Sequence, residues 1–136
     1  MSFVFAARIL FAILFGLVTY LTVTTNPETT EGGMALTRWL AEMVLGQAAL
    51  ADKVAHFLAY GALGAAAMFA NLKLARRRIV TVLALAAYGA LLEGVQALGG
   101  VRSPEAADAI ANAFGALCAY PGYMILTRLA PRLRAV

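Results

Sequence analysis

Charge is scarce in this sequence. Only 13% of its 136 residues are Asp, Glu, Lys or Arg, while 62% are hydrophobic. A soluble domain carries roughly a quarter charged residues, so this balance argues against a soluble globular chain and for an integral membrane protein with one compact domain. Cysteine is almost absent too. Cys118 is alone, which excludes an internal disulfide, and its apolar neighbours make it a small hydrophobe. The single histidine, His56, rules out H-E-x-x-H and similar local zinc motifs. No nucleophile motif is visible either.

The apolar residues fall into long runs. Residues 3–23, FVFAARILFAILFGLVTYLTV, are long enough to cross roughly 30 Å of hydrocarbon. The run exceeds a signal-peptide core, and no small-x-small cleavage site follows it, so we expect a retained helix. Further spans are expected over about 54–72, 79–98 and 106–126. The links KLARRR (73–78) and GGVRSPE (99–105) are short, which makes consecutive helices antiparallel neighbours.

The charges sort along this path. With a cytoplasmic N-terminus, the inner side carries Arg8, Lys73, Arg76, Arg77, Arg78, Arg128, Arg132 and Arg134, eight of the eleven basic residues. All seven acids then fall on the outer side or outer half, with Arg38, Lys53 and Arg102. Positive residues concentrate on the cytoplasmic side of membrane proteins, so both termini are expected in the cytoplasm. The net charge of +4 is accounted for by topology, and no nucleic acid is expected as a partner.

In the first outer loop, Leu36, Trp39, Leu40, Met43 and Val44 recur near helical spacing, while Arg38 and Glu42 pair at i,i+4 on another face. A helix over about 34–47 is expected, either lying on the outer leaflet or packed on the ends of the bundle. Small residues recur within the spans: Gly61, Gly64 and Ala65; Ala86, Ala90 and Gly94; Ala111, Gly115 and Ala119. Such rows let helices approach closely in lipid. The expected fold is thus an all-α membrane protein, a four-helix transmembrane bundle with an amphipathic interfacial helix in the first outer loop, forming one domain over 1–136.

Ionisable residues inside spans are costly and tend to face the bundle interior, so each is a candidate site. Asp52 and His56 occupy the first turns of the second span, and Asp108 and Asn112 those of the fourth. Glu93 and Gln96 share a face near the outer end of the third, with Arg102 and Ser103 in the following link. All eight fall at one level. Plainer readings stand beside this one. Asp52 suits a helix start, Ser103-Pro104 make a good N-cap and first helical residue that accounts for Glu105, and Asn112 is able to bond across helices. Glu93 is harder to explain away. It lies about 7 Å below the interface, where a carboxylate needs a partner, and Arg102 or His56 is the expected one.

The stretches DKVAHFLAY, LLEGVQ and RSPEAADAIANAFGA together resemble the VanZ-like family of small bacterial integral membrane proteins. The resemblance runs from residue 52 to about 120 and marks Asp52, Lys53, His56, Glu93, Gln96, Arg102, Asp108 and Asn112. It implies a multi-pass protein of the bacterial cytoplasmic (inner) membrane, with a role at the cell envelope and a link to glycopeptide antibiotic resistance. It implies no particular reaction.

Three functions compete. In the first, an outer-leaflet pocket binds or modifies an envelope lipid or phosphate-bearing head group. His56, Asp52 and Glu93 then serve as acid-base groups, and Lys53, Gln96, Arg102, Asp108 and Asn112 as ligand-binding groups. The partners are then membrane lipids and a lipid-linked envelope precursor. In the second, His56, Asp52, Glu93 and Asp108 hold an oxygen-preferring divalent ion. This reading is set below the first, so no metal and no cofactor is expected. In the third, the chain is an accessory or scaffold subunit bound to other membrane subunits, and its polar cluster fixes helix register. A transporter is disfavoured, since no span is broken or charged at mid-membrane.

Overall fold

A computed structural model describes residues 2–24, 28–99 and 105–133. Its order is α1 (Phe3–Val23), α2 (Glu28–Leu45), α3 (Ala51–Phe69), α4 (Arg78–Gly99) and α5 (Ala106–Leu129). Single 3-10 turns lie at Ala48–Leu50 and Pro131–Leu133. No strand is present among the described residues. The described fold is all-helical.

Among the described residues three helices, α1, α4 and α5, are long and apolar enough to cross a membrane. Four such helices were expected, and α3 is the one that falls short. The reason is its position. Asp52, Lys53 and His56 lower the hydropathy of its first two turns, and its other residues are rich in alanine and glycine. α3 touches each of the other four helices and buries Tyr60, Leu63, Ala67 and Met68. A helix with neighbours on several sides needs less of the apolar coat of one facing lipid, although Phe57 and Leu58 of α3 remain exposed. α1 is the opposite case. It buries only Ala7, Val18 and Thr22 and exposes Phe5, Ile9, Ile13, Leu17 and Tyr20.

The α3–α5 contact is the tightest. A Cβ at Gly115 would overlap the Phe57 carbonyl oxygen and lie 2.9 Å from Gly61 N. One at Gly64 would lie 2.7 Å from Ala119 Cβ and 3.0 Å from Ala116 O. Glycine at these positions lets the two backbones meet. Gly94, expected in a packing row, has nothing within 4 Å of its Cβ position, and Gly89 takes that role on α4 against Asn112 and Tyr60.

The two ends of the bundle differ in chemistry. At one end Arg8 Nε donates to Ala70 O at 3.3 Å, and Arg78 Nη2 donates to Asn71 Oδ1 at 2.6 Å. Arg78 also sits 5.2 Å above the Tyr123 ring. The link between α3 and α4 turns through left-handed residues Asn71, Ala75 and Arg76, each costing about 1 kcal/mol or more. Thr81 Oγ1 holds this link by accepting from Leu74 N at 2.9 Å and donating to Leu72 O at 3.0 Å. At the other end the Gln96 side chain donates to Thr22 O and Lys53 meets Glu105, so the ends of α1 and α4 share a level with the starts of α3 and α5. The acids gather there.

α2 divides into three faces. Thr37 and Ala41 are buried, and the helix packs on α3. Leu36, Trp39, Met43 and Val44 are exposed on a second face, although their spacing is that of a core stripe. Arg38 and Glu42 are exposed on the third.

Candidate functional site: a histidine between three helices

His56 lies on the second turn of α3, one turn after Asp52, so both project from the same face. α5 meets that face with Asp108 in its first turn and Asn112 one turn further on. α4 runs the other way and brings Glu93 to the same level from its last two turns. Asp108, Asn112 and Glu93 are buried, at 2%, 0% and 6% exposure, whereas the His56 side chain keeps 16%.

The two ring nitrogens of His56 see different surroundings. On one edge, Nδ1 lies 3.0 Å from Asn112 Oδ1, and Asn112 Nδ2 donates to Glu93 Oε1 at 3.3 Å. Because the amide nitrogen is turned to Glu93, its oxygen faces the ring, and Nδ1–H is the donor. On the other edge, Nε2 lies 3.8 Å from Asp52 Oδ1 and 4.0 Å from Asp108 Oδ2. The Glu93 carboxylate is 3.8 Å from Nδ1, so it acts on the ring mainly through Asn112. The arrangement makes Nδ1 the nitrogen that donates to Asn112 and turns Nε2 toward two carboxylates.

Lys53 closes the outer side. Its ammonium pairs with Asp108 Oδ1, with Glu105 Oε2, and with Asp52 Oδ2 at 3.3 Å. Each aspartate therefore gives one oxygen to Lys53 and the other to His56. Glu105 was accounted for by a Ser103-Pro104 helix start. The helix begins instead at Ala106 with Glu105 in the N-cap position, making no side-chain cap bond and reaching across to Lys53. Proximity of α3 and α5 decides this, and nothing local in SPEAAD signals it.

Asp52, Lys53, His56, Glu93, Asp108 and Asn112 are thus brought together. Gln96 is not. Its side chain turns to α1 and donates to the Thr22 carbonyl, because the three-residue step from Glu93 rotates it toward that helix. Arg102 lies outside the described residues, and so does Ser103.

Tyr60 escaped the sequence reading as a site residue. It is 1% exposed, one turn after His56, and its hydroxyl has no hydrogen-bond partner among the described residues. Its ring meets the Gly89 position beside Asn112. The i,i+4 step from His56 was the available signal. Two apolar grooves, one around Phe15, Leu85 and Tyr88 and one around Ala65, Ala119 and Leu126, include none of these site residues.

The family model described as VanZ/LLP1 matches residues 3–127, nearly the whole chain. The chain belongs to the VanZ family. No curated protein and no solved structure matches it. VanZ membership agrees with the three helices apolar enough to cross a membrane. It also gives the His56 cluster a family frame, since every residue of the cluster falls within the matched stretch.

Proposed function

We propose that this VanZ-family protein spans the bacterial inner membrane four times, with both termini in the cytoplasm. α3 is then the fourth span, and α2 lies on the outer leaflet. The separation of Arg8, Arg76, Arg77 and Arg78 at one end from Asp52, Glu93, Glu105 and Asp108 at the other supports this orientation. The His56 cluster then opens at the outer interface.

There we infer a site that binds or modifies the polar head group of an envelope lipid or lipid-linked precursor. One observation carries the reading: a partly exposed imidazole donates from Nδ1 to Asn112 and turns Nε2 toward the Asp52 and Asp108 carboxylates, a setting suited to proton exchange with a bound head group. The carboxylates of Asp52 and Asp108 would receive hydroxyl or amine donors of the head group. Its phosphate would be met by the helix N-termini. The link to glycopeptide resistance follows from the same reading, through altered envelope precursors at the outer face.

A second reading is favoured by the saturation of Lys53, which already meets three carboxylates. Under it the cluster is structural, and the chain is an accessory subunit of a membrane complex. Purification of wild type, His56→Ala and Glu93→Gln in mild detergent, with lipid mass spectrometry, separates the two. A specific co-purifying envelope lipid, lost in both variants while accumulation stays normal, supports the head-group site. Loss of accumulation in both variants, with no lipid specific to wild type, supports the accessory role.

A further inference from the structure

We infer that the groove between α1 and α4 at the basic end of the bundle holds an acyl chain of one anionic phospholipid, whose phosphate rests on Lys73, Arg76 and Arg77. The groove arises from the path of α1. Toward the acidic end α1 lies on α4: the Phe15 and Tyr88 rings stack at 4.8 Å, Thr19 Oγ1 and Tyr88 Oη are 2.8 Å apart, and Gln96 reaches Thr22 O. Toward the basic end it leans on α3 instead, with Arg8 bonded to Ala70 O and the Phe3 ring 5.9 Å from Phe69. A wedge is left open between α1 and the first turns of α4.

The wedge has a volume of about 440 Å3, within the roughly 300–1,000 Å3 of small-molecule sites. Phe15 forms one wall, Ala84, Leu85 and Tyr88 form the other, and Leu72 and Lys73 of the α3–α4 link lie at its basic end. From Thr81 to Tyr88 it follows α4 for about 10 Å. The hydroxyls along it are already used. Thr81 Oγ1 is bonded to Leu74 N and Leu72 O, and Tyr88 Oη to Thr19. The surface that remains is apolar, which suits a hydrocarbon chain and not a polar ligand.

The charge stands where a head group would be. Lys73 lines the groove, and Arg76 and Arg77 follow it in the same link. All three are exposed, and their side chains make no hydrogen bond or ion pair among the described residues. Arg78, by contrast, is engaged by Asn71 and the Tyr123 ring. Membrane topology accounts for cations at this end, but not for an apolar groove that runs from them into the bundle. An anionic phospholipid complements both features, its chain the groove and its phosphate the cations. A zwitterionic lipid brings an ammonium group to the same cations and is repelled. The site lies at the end opposite His56 and holds for either orientation in the membrane, so it is independent of the head-group reading.

Titration of the purified full chain in mild detergent with dioleoylphosphatidylglycerol, read by native mass spectrometry, tests this. One retained lipid per chain is expected, bound about tenfold or more tightly than dioleoylphosphatidylcholine. The triple variant Lys73→Gln, Arg76→Gln, Arg77→Gln should lose that preference, and its exposed positions leave the fold intact. Ala84→Phe, which fills the groove, should weaken binding, whereas Ala87→Phe, on the same helix but outside the groove, should not. Glycerophosphoglycerol, the same head group without chains, should fail to compete, and this checks the groove without any variant. Equal affinity for the two lipids overturns the inference. So does a triple variant that keeps the preference, competition by the bare head group, or identical behaviour of Ala84→Phe and Ala87→Phe.

Discussion

Asn112 presents Oδ1 to His56 Nδ1 at 3.0 Å and Nδ2 to Glu93 Oε1 at 3.3 Å, so one fully buried amide on α5 joins ionisable residues of α3 and α4. The amide has a polarity that a symmetric side chain lacks. It gives an acceptor to the ring and a donor to the carboxylate, and this makes Nδ1 the donating nitrogen of His56. Three helices are held in register by the same contact.

Replacing that amide should be felt in stability. Asn112→Leu removes both bonds and leaves polar groups at a dry interface, at a cost of about 1–3 kcal/mol. A lowered thermal midpoint in detergent is the expected result. An unchanged midpoint would show that the amide does not hold the three helices together.

Lys53 should matter for a different reason. It is the cation shared by Asp52, Glu105 and Asp108, and Asp108 is buried. Lys53→Met strips the cation from a carboxylate cluster, a change worth about 3 kcal/mol when a buried charge loses its partner. Lys53→Arg, which keeps a cation among the three carboxylates, should lose much less stability. Equal losses in both variants would assign the effect to packing of the lysine stem.

The α3–α5 crossing gives a steric prediction. Gly115→Ala drives a methyl group into the Phe57 carbonyl and should destabilise by about 1–3 kcal/mol. Gly16→Ala, with nothing within 4 Å of the added carbon, should stay within about 0.5 kcal/mol of wild type. Equal midpoints for the two variants would mean that α3 and α5 do not cross at this point.

Trp39 is the single tryptophan of the sequence and is exposed on the outward apolar face of α2. Its fluorescence therefore reports on that face alone. In vesicles carrying brominated lipids, quenching should be strongest with bromine near the headgroups and weaker with bromine deep in the chains. No quenching at either depth would place α2 away from the bilayer. In a Cys118→Ala background, Glu42→Cys should react with an impermeant thiol reagent added outside cells, and Arg76→Cys should not. The reverse pattern would invert the orientation.

Several features were legible without a structure. The apolar runs predict helices, because only a chain that satisfies its own backbone hydrogen bonds lasts in hydrocarbon. The i,i+4 spacings Asp52/His56 and Asp108/Asn112 dictate which pairs share a face, since helix geometry is local. Short links make neighbours antiparallel, and this brings Glu93 to the level of His56.

Contacts between helices were not legible, because they depend on rotation about each axis and on how closely backbones approach. Gln96 and Glu93 are three residues apart, yet one meets α1 and the other meets Asn112. Glu105 has the sequence setting of a helix start and becomes a partner of Lys53 only when α5 lies against α3. α3 itself looks like a span by length, but its contacts with four helices let it carry less apolar surface than a lipid-facing helix. The sequence by itself determined the helices, the faces of each, and the separation of acidic from basic ends. Tertiary packing alone decided which faces meet, since glycine at 61, 64 and 115 permits the approach and the buried polar pairs select its register.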